Sequence, residues 1–111
     1  MAAMEFVVAG SPRVVSRAIE EYAVQQRTVS ALVVPWESDR ETLSMAVTSV
    51  RGDGWAIEHV NLGTIRLTDL GEDRTRVAIA PDDPEHPDHQ KLAVLFERFA
   101  RHIQKRFQSV P

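Results

Sequence analysis

Between about residue 28 and residue 80, apolar side chains recur at every second position, and the interruptions are short enough only for turns. Val29, Ala31 and Val33 share one face of the first run, Ser30, Leu32 and Val34 share the other, and Pro35 ends regular pairing. Leu43, Met45 and Val47 then alternate against Thr42, Ser44 and Thr48. Arg51-Gly52-Asp53-Gly54 is turn material, and beyond it Trp55, Ile57 and His59 alternate with Ala56, Glu58 and Val60. Ile65 and Leu67 oppose Arg66 and Thr68, Gly71-Glu72-Asp73 makes the last tight turn, and Val77 and Ile79 follow against Arg76 and Ala78. A parallel crossover needs about a dozen residues or more, so these strands must be antiparallel neighbours. Gly63, inside an otherwise continuous strand pattern, predicts a bulge or corner and a curved sheet.

The meander is bracketed by two amphipathic segments. A β-prone run over residues 4–8 precedes Ser11-Pro12, an N-cap hydroxyl followed by a proline fit for the first helical position. Val15, Ala18, Ile19 and Tyr22 then form one apolar stripe, with the Tyr22 hydroxyl left in water. Near Asp88 a second helix begins, carrying Leu92, Leu95, Phe96, Phe99 and Ile103 at helical spacing. The expected fold is therefore α+β: a curved antiparallel meander of four to five strands with two helices, in the order β-α-β-β-β-β-α. With 111 residues, 43% of them hydrophobic and 26% charged, residues 1–111 make a single domain.

Composition removes several chemistries. There is no cysteine, hence no disulfide, thiolate metal site or cysteine nucleophile. The first residues lack the basic start and apolar run of a signal peptide, and no stretch of about 18 apolar residues could span a bilayer. A cytoplasmic protein without a membrane partner is expected, and no cofactor. The net charge of −3 gives no general attraction to phosphate, so nucleic acid is not an expected partner. A basic stripe of Arg98, Arg101, His102, Lys105 and Arg106 on the last helix is interrupted by Glu97 and suits a helix C-terminus on dipole grounds alone.

The phrase Gly63-Thr64-Ile65-Arg66-Leu67-Thr68-Asp69-Leu70-Gly71-Glu72-Asp73-Arg74-Thr75-Arg76-Val77, followed by a C-terminal helix rich in leucine and phenylalanine, resembles the penultimate hairpin and last helix of the helix-grip or START-like superfamily of polyketide cyclases and lipid-transfer domains. The element order equally resembles the half-repeat of TATA-binding-protein-like domains. Either resemblance implies a bent sheet curled against the last helix. The START-like one further implies a pocket for a small apolar ligand lined by Trp36, Met45, Trp55, Phe96 and Phe99. The chain has one helix after the first strand and about four strands beyond it, where the superfamily has a helical pair and six strands, and it carries no catalytic motif of either group. The bulky seam of the last helix instead favours a filled interior.

Residues 82–89 bring His86 and His89 together with Asp82, Asp83, Glu85 and Asp88, which are zinc-type ligands. Acidic residues also belong at a helix N-terminus, and the expectation is no metal. His59, in register with Trp55 and Ile57 and so directed inward with them, could act as a general base with Glu58 or Asp69. Val33 and Val34 beside Trp36, and a strand from Leu43 to Val50 that is apolar on both faces, exceed what one covered face requires. Self-association as a homodimer, by sheet face or by edge strand, is expected. The function expected is that of a non-enzymatic binding or interaction module that self-associates and holds a small apolar ligand between sheet and last helix. The alternative is a small cyclase- or hydrolase-like enzyme using His59.

Overall fold

A computed structural model describes residues 2–52, 56–82 and 85–108. It shows an α+β fold in the order β1 (Met4–Ala9), α1 (Pro12–Gln26), β2 (Val29–Val33), β3 (Thr42–Arg51), β4 (Glu58–Gly71), β5 (Arg74–Pro81) and α2 (His89–Phe107). All five strands join one antiparallel sheet ordered β1-β5-β4-β3-β2. No helix among the described residues is long and apolar enough to cross a membrane.

Helix α1 starts as its cap dictates: Ser11 Oγ accepts the Val14 N–H at 3.4 Å, and Pro12 occupies the first turn. It ends at Arg27, which adopts φ 64° and so turns the chain sharply into β2. The β4–β5 hairpin closes through Glu72 and Asp73, both at φ 55°, the backbone sign that a two-residue turn needs to match strand twist.

Every strand buries alternate residues: Phe6 and Val8, Val29 and Ala31, Met45 and Val47, Ile65 and Leu67, Val77 and Ile79. These form a single core with Val15, Ile19 and Ala23 of α1 and Leu92, Phe96, Phe99, Ala100 and Ile103 of α2. Both helices therefore cover one face of the sheet and leave the other bare. Residues of the bare face are mostly short, with Ala46, Thr64 and Ala80 in one cross-strand row.

The sheet pattern breaks at Gly63 and again between Asp69 and Gly71. The β3–β4 register shifts between Val47 and Thr48, which pair with Gly63 and Asn61, so Leu62 is an extra residue on β4. Its carbonyl accepts the Asp82 N–H at 2.9 Å. A Cβ on Gly63 would overlap the Phe96 ring edge and sit 2.6 Å from the Ala80 carbonyl oxygen. The glycine thus admits α2 against the sheet.

Two expectations for β4 are corrected. Strand β4 begins at Glu58, not Trp55; Ile57 is exposed and Trp55 lies outside the described residues. Counting back from Ile65 by twos points His59 inward, but Leu62 reverses the alternation, Val60 takes the buried position, and His59 is exposed beside Val50 on the bare face.

Candidate functional site

Met45 and Phe96 are fully buried in the core and Phe99 nearly so, while Trp36 is elsewhere. Pro35 ends β2 and starts a short 3-10 turn, Pro35–Glu37, from which Trp36 projects at 84% exposure. That turn lies over the bare face at Ser44, whose backbone N–H donates to Ser38 Oγ at 3.0 Å, while the Ser38 hydroxyl donates to the Val34 carbonyl at 2.8 Å. Asp39 anchors the loop by accepting the N–H groups of Thr42 and Glu41, both at 2.8 Å, and these bonds hold its carboxyl below the ordinary aspartate value.

Between α1 and α2 is a cleft of about 150 Å³ with Phe99 and Leu95 at its apolar side and Tyr22, Arg98 and His102 at its polar side. The Tyr22 ring packs on Phe99 at 5.8 Å between centroids, and its hydroxyl meets His102 Nδ1 at 3.0 Å. Arg106 lies over the same tyrosine ring at 5.5 Å, and Arg101 binds Glu97 at 2.9 Å. Part of the basic stripe is thus used to join the helices and to pair within α2.

His86 and His89 do not converge on a common point. His86 Nε2 donates to Glu58, its Nδ1 accepts the Asp88 N–H at 3.0 Å, and so both ring nitrogens are engaged. His89 Nδ1 bonds the His86 carbonyl at 3.2 Å. Among the described residues no group of three or more His, Asp or Glu side chains could hold a metal ion. What the cluster does is structural: with Arg51 on Asp88 at 2.7 Å, it ties the connection before α2 to the β3–β4 end of the sheet. Bonding to Arg51 is the main reason that Asp88 titrates below the ordinary aspartate value. A shallow cleft of about 650 Å³ lies beside this tie.

Neither carboxylate considered as a partner of His59 serves it. Glu58 is held by His86 and, as an adjacent strand residue, points to the other face. Asp69 lies ten residues along β4, roughly 30 Å away, and accepts the Gly71 N–H at 2.8 Å. His59 lines neither cleft described above.

Val14, Ile57 and Val94 are exposed singly elsewhere, and a group of exposed apolar residues lies near β2. Val24, Leu32, Trp36 and Val50 are among the exposed large hydrophobic residues, and Val24, Leu32 and Val50 line a cleft of about 510 Å³ between α1 and the β2 edge. Sequence reasoning noticed the surplus of apolar residues near Val33 and Trp36; only the strand order, which makes β2 an edge, shows where that surplus lies.

No family model matches the chain, and no curated protein matches it either. Among solved structures, the crystal structure of the vertebrate conserved region of human METTL16 is similar, with a TM-score of 0.55 and 17% sequence identity over 93% of this chain and 95% of that one. At that identity the likeness is one of fold.

Proposed function

We propose that the chain is a non-enzymatic interaction module that self-associates and works through its outer surfaces. One observation carries this reading: the interior between sheet and α2 is filled, with Phe96 seated on Gly63, whereas among the described residues no helix covers the other face of the five-stranded sheet, which only the Pro35–Glu37 turn overlies at Ser44, and the apolar β2 edge beside it has no strand partner. A domain that spends its large side chains on a solid core has little room to enclose a substrate there, and an uncovered apolar surface is the usual mark of a partner. The separation of His59 from both carboxylates leaves an enzyme built on it without a second group.

A second reading, a small ligand with an apolar part and a negative group, is favoured by the cleft between the helices, where Phe99 and Leu95 adjoin Arg98, Tyr22 and His102. Sedimentation equilibrium at micromolar concentrations, with native mass spectrometry of the purified protein, tests both. A dimer mass without bound small molecule is expected from the first reading; a monomer throughout this range refutes it. A discrete added mass lost on substituting Arg98 supports the second.

A further inference from the structure

We infer that β2 is the dimer seam: two copies pair β2 with β2 antiparallel, about a two-fold axis at Ala31, so that their sheets become one. The inference rests on the self-associating reading above and names its surface.

The two edges of the sheet differ. On β1, Val8 makes an antiparallel bridge to Gln108, so the chain covers part of that edge with the residue following α2. On β2, the outer edge has no strand partner among the described residues. Two hydrogen bonds decide which β2 groups are free. Val50 N–H donates to Thr28 O at 3.3 Å and Val34 N–H donates to Ser44 O at 2.8 Å. In an antiparallel ladder bonding alternates, so the even-numbered residues of β2 bond to β3. The N–H and C=O groups of Val29, Ala31 and Val33 therefore point outward.

Edge strands in soluble domains are usually blunted by charge, proline, bulge or cover. Residues 28–34 have no charged residue, no proline and no glycine, and within them Leu32 is 61% exposed beside Val24 of α1 at 77%. A β-prone uncharged segment left open at an edge is the pattern that aggregates, and covering it removes the hazard.

A second copy fits this edge better than other occupants. Growth by pairing β2 with the β1 of another molecule is obstructed by the Gln108 bridge, leaving the self-complementary β2–β2 contact, which closes after two copies. Arg17, Glu20, Glu21 and Arg27 along the cleft mix both signs, so an antiparallel copy does not meet a like-charged wall. Centring the axis on Ala31 uses every outward group: Val29 pairs with the partner's Val33 and Ala31 with the partner's Ala31, for about six hydrogen bonds. Leu32 then lies directly across from the partner's Ser30 on the bare face.

The absence of cysteine makes the register directly readable. The S30C/L32C variant should form a covalent dimer on mild oxidation, read on a non-reducing gel, whereas V7C on the β1 strand should not. Leu32→Glu, which introduces a charge on each side of the seam, and Ala31→Pro, which removes the central outward N–H, should each weaken dimerisation at least about tenfold by sedimentation, with circular dichroism reporting the fold. Should Ala31→Pro fail to fold, Leu32→Glu and the cross-link decide. A wild-type monomer overturns both the seam and the self-association reading. A wild-type dimer that neither cross-links at these positions nor responds to Leu32→Glu overturns the seam alone and moves the contact to another surface.

Discussion

Gly63→Ala tests the account of how α2 seats on the sheet. The added methyl would overlap the Phe96 ring edge and stand 2.6 Å from the Ala80 carbonyl oxygen. The ring can shift only against a core in which Phe96 is 1% exposed, and the carbonyl belongs to the paired strand β5. Overpacking of this kind costs about 3 kcal/mol at the upper end of its usual range. Gly63 does not adopt a positive φ, so alanine is permitted there and gains about 0.5–1 kcal/mol by restricting the unfolded chain. The net expectation is a loss of about 2 kcal/mol, or roughly 8 °C in Tm at about 4 °C per kcal/mol. Urea denaturation followed by far-ultraviolet circular dichroism measures it, with Phe96→Leu and the double variant completing a cycle. Leucine removes the ring overlap but not the carbonyl contact, so a favourable coupling of about 1 kcal/mol is expected. A Gly63→Ala protein more stable than wild type by about the 0.5–1 kcal/mol backbone gain alone, which leaves no overpacking cost, or an additive cycle, refutes the proposed seating of Phe96.

Thr75→Val should cost about 1–2 kcal/mol in urea, because the fully buried Thr75 hydroxyl donates to the Gly10 carbonyl at 2.7 Å; an unchanged midpoint would mean that this carbonyl finds another donor. Ser44→Ala should be neutral or stabilising by up to about 1 kcal/mol, since the Ser44 hydroxyl oxygen is buried without a hydrogen-bond partner, and a clear fall in Tm would show that it has one. Asp39 and Asp88 are both held below the ordinary aspartate pKa in the folded state, so their contribution is intact above the unfolded value of about 3.9 and is lost as pH falls toward the lower folded values. Acid titration of the Asp39→Asn protein should accordingly show a shallower loss of stability below about pH 4 than wild type, and parallel curves would contradict the depressed value.

Much of the fold was legible because local rules and tertiary packing agree. Ser11-Pro12 starts α1, the seam Leu92, Phe96, Phe99 and Ile103 is the buried face of α2, and short connections made the meander antiparallel. What escaped depends on single-residue counting or on distance. Leu62 changes the face of every residue before it in β4, and nothing in the local pattern distinguishes that bulged residue from its neighbours. His59 was therefore assigned to the wrong face. The pairing of His86 with Glu58 and of Arg51 with Asp88 joins segments far apart in the chain and has no local signature. Trp36 belongs with the pocket residues only through the START-like resemblance, whereas Pro35 releases the chain into a turn that carries it outward.

The position of β1 matters most for function, because an edge is a property of the whole sheet. A meander read from residue 28 onward leaves two open ends, β2 and β5. Pairing of β1 with β5 covers the second, and the Gln108 bridge then engages the new outer strand. The first strand and the residue after the last helix, opposite ends of the described chain, therefore act on the same side of the sheet. Both protections accumulate there, and β2 receives neither. Its sequence contains no substitute in the form of a charge, a proline or a glycine. Local pattern identifies the apolar run; only the complete strand order identifies it as the one unprotected edge among the described strands, which is why the surface and not the interior is where a partner should be sought.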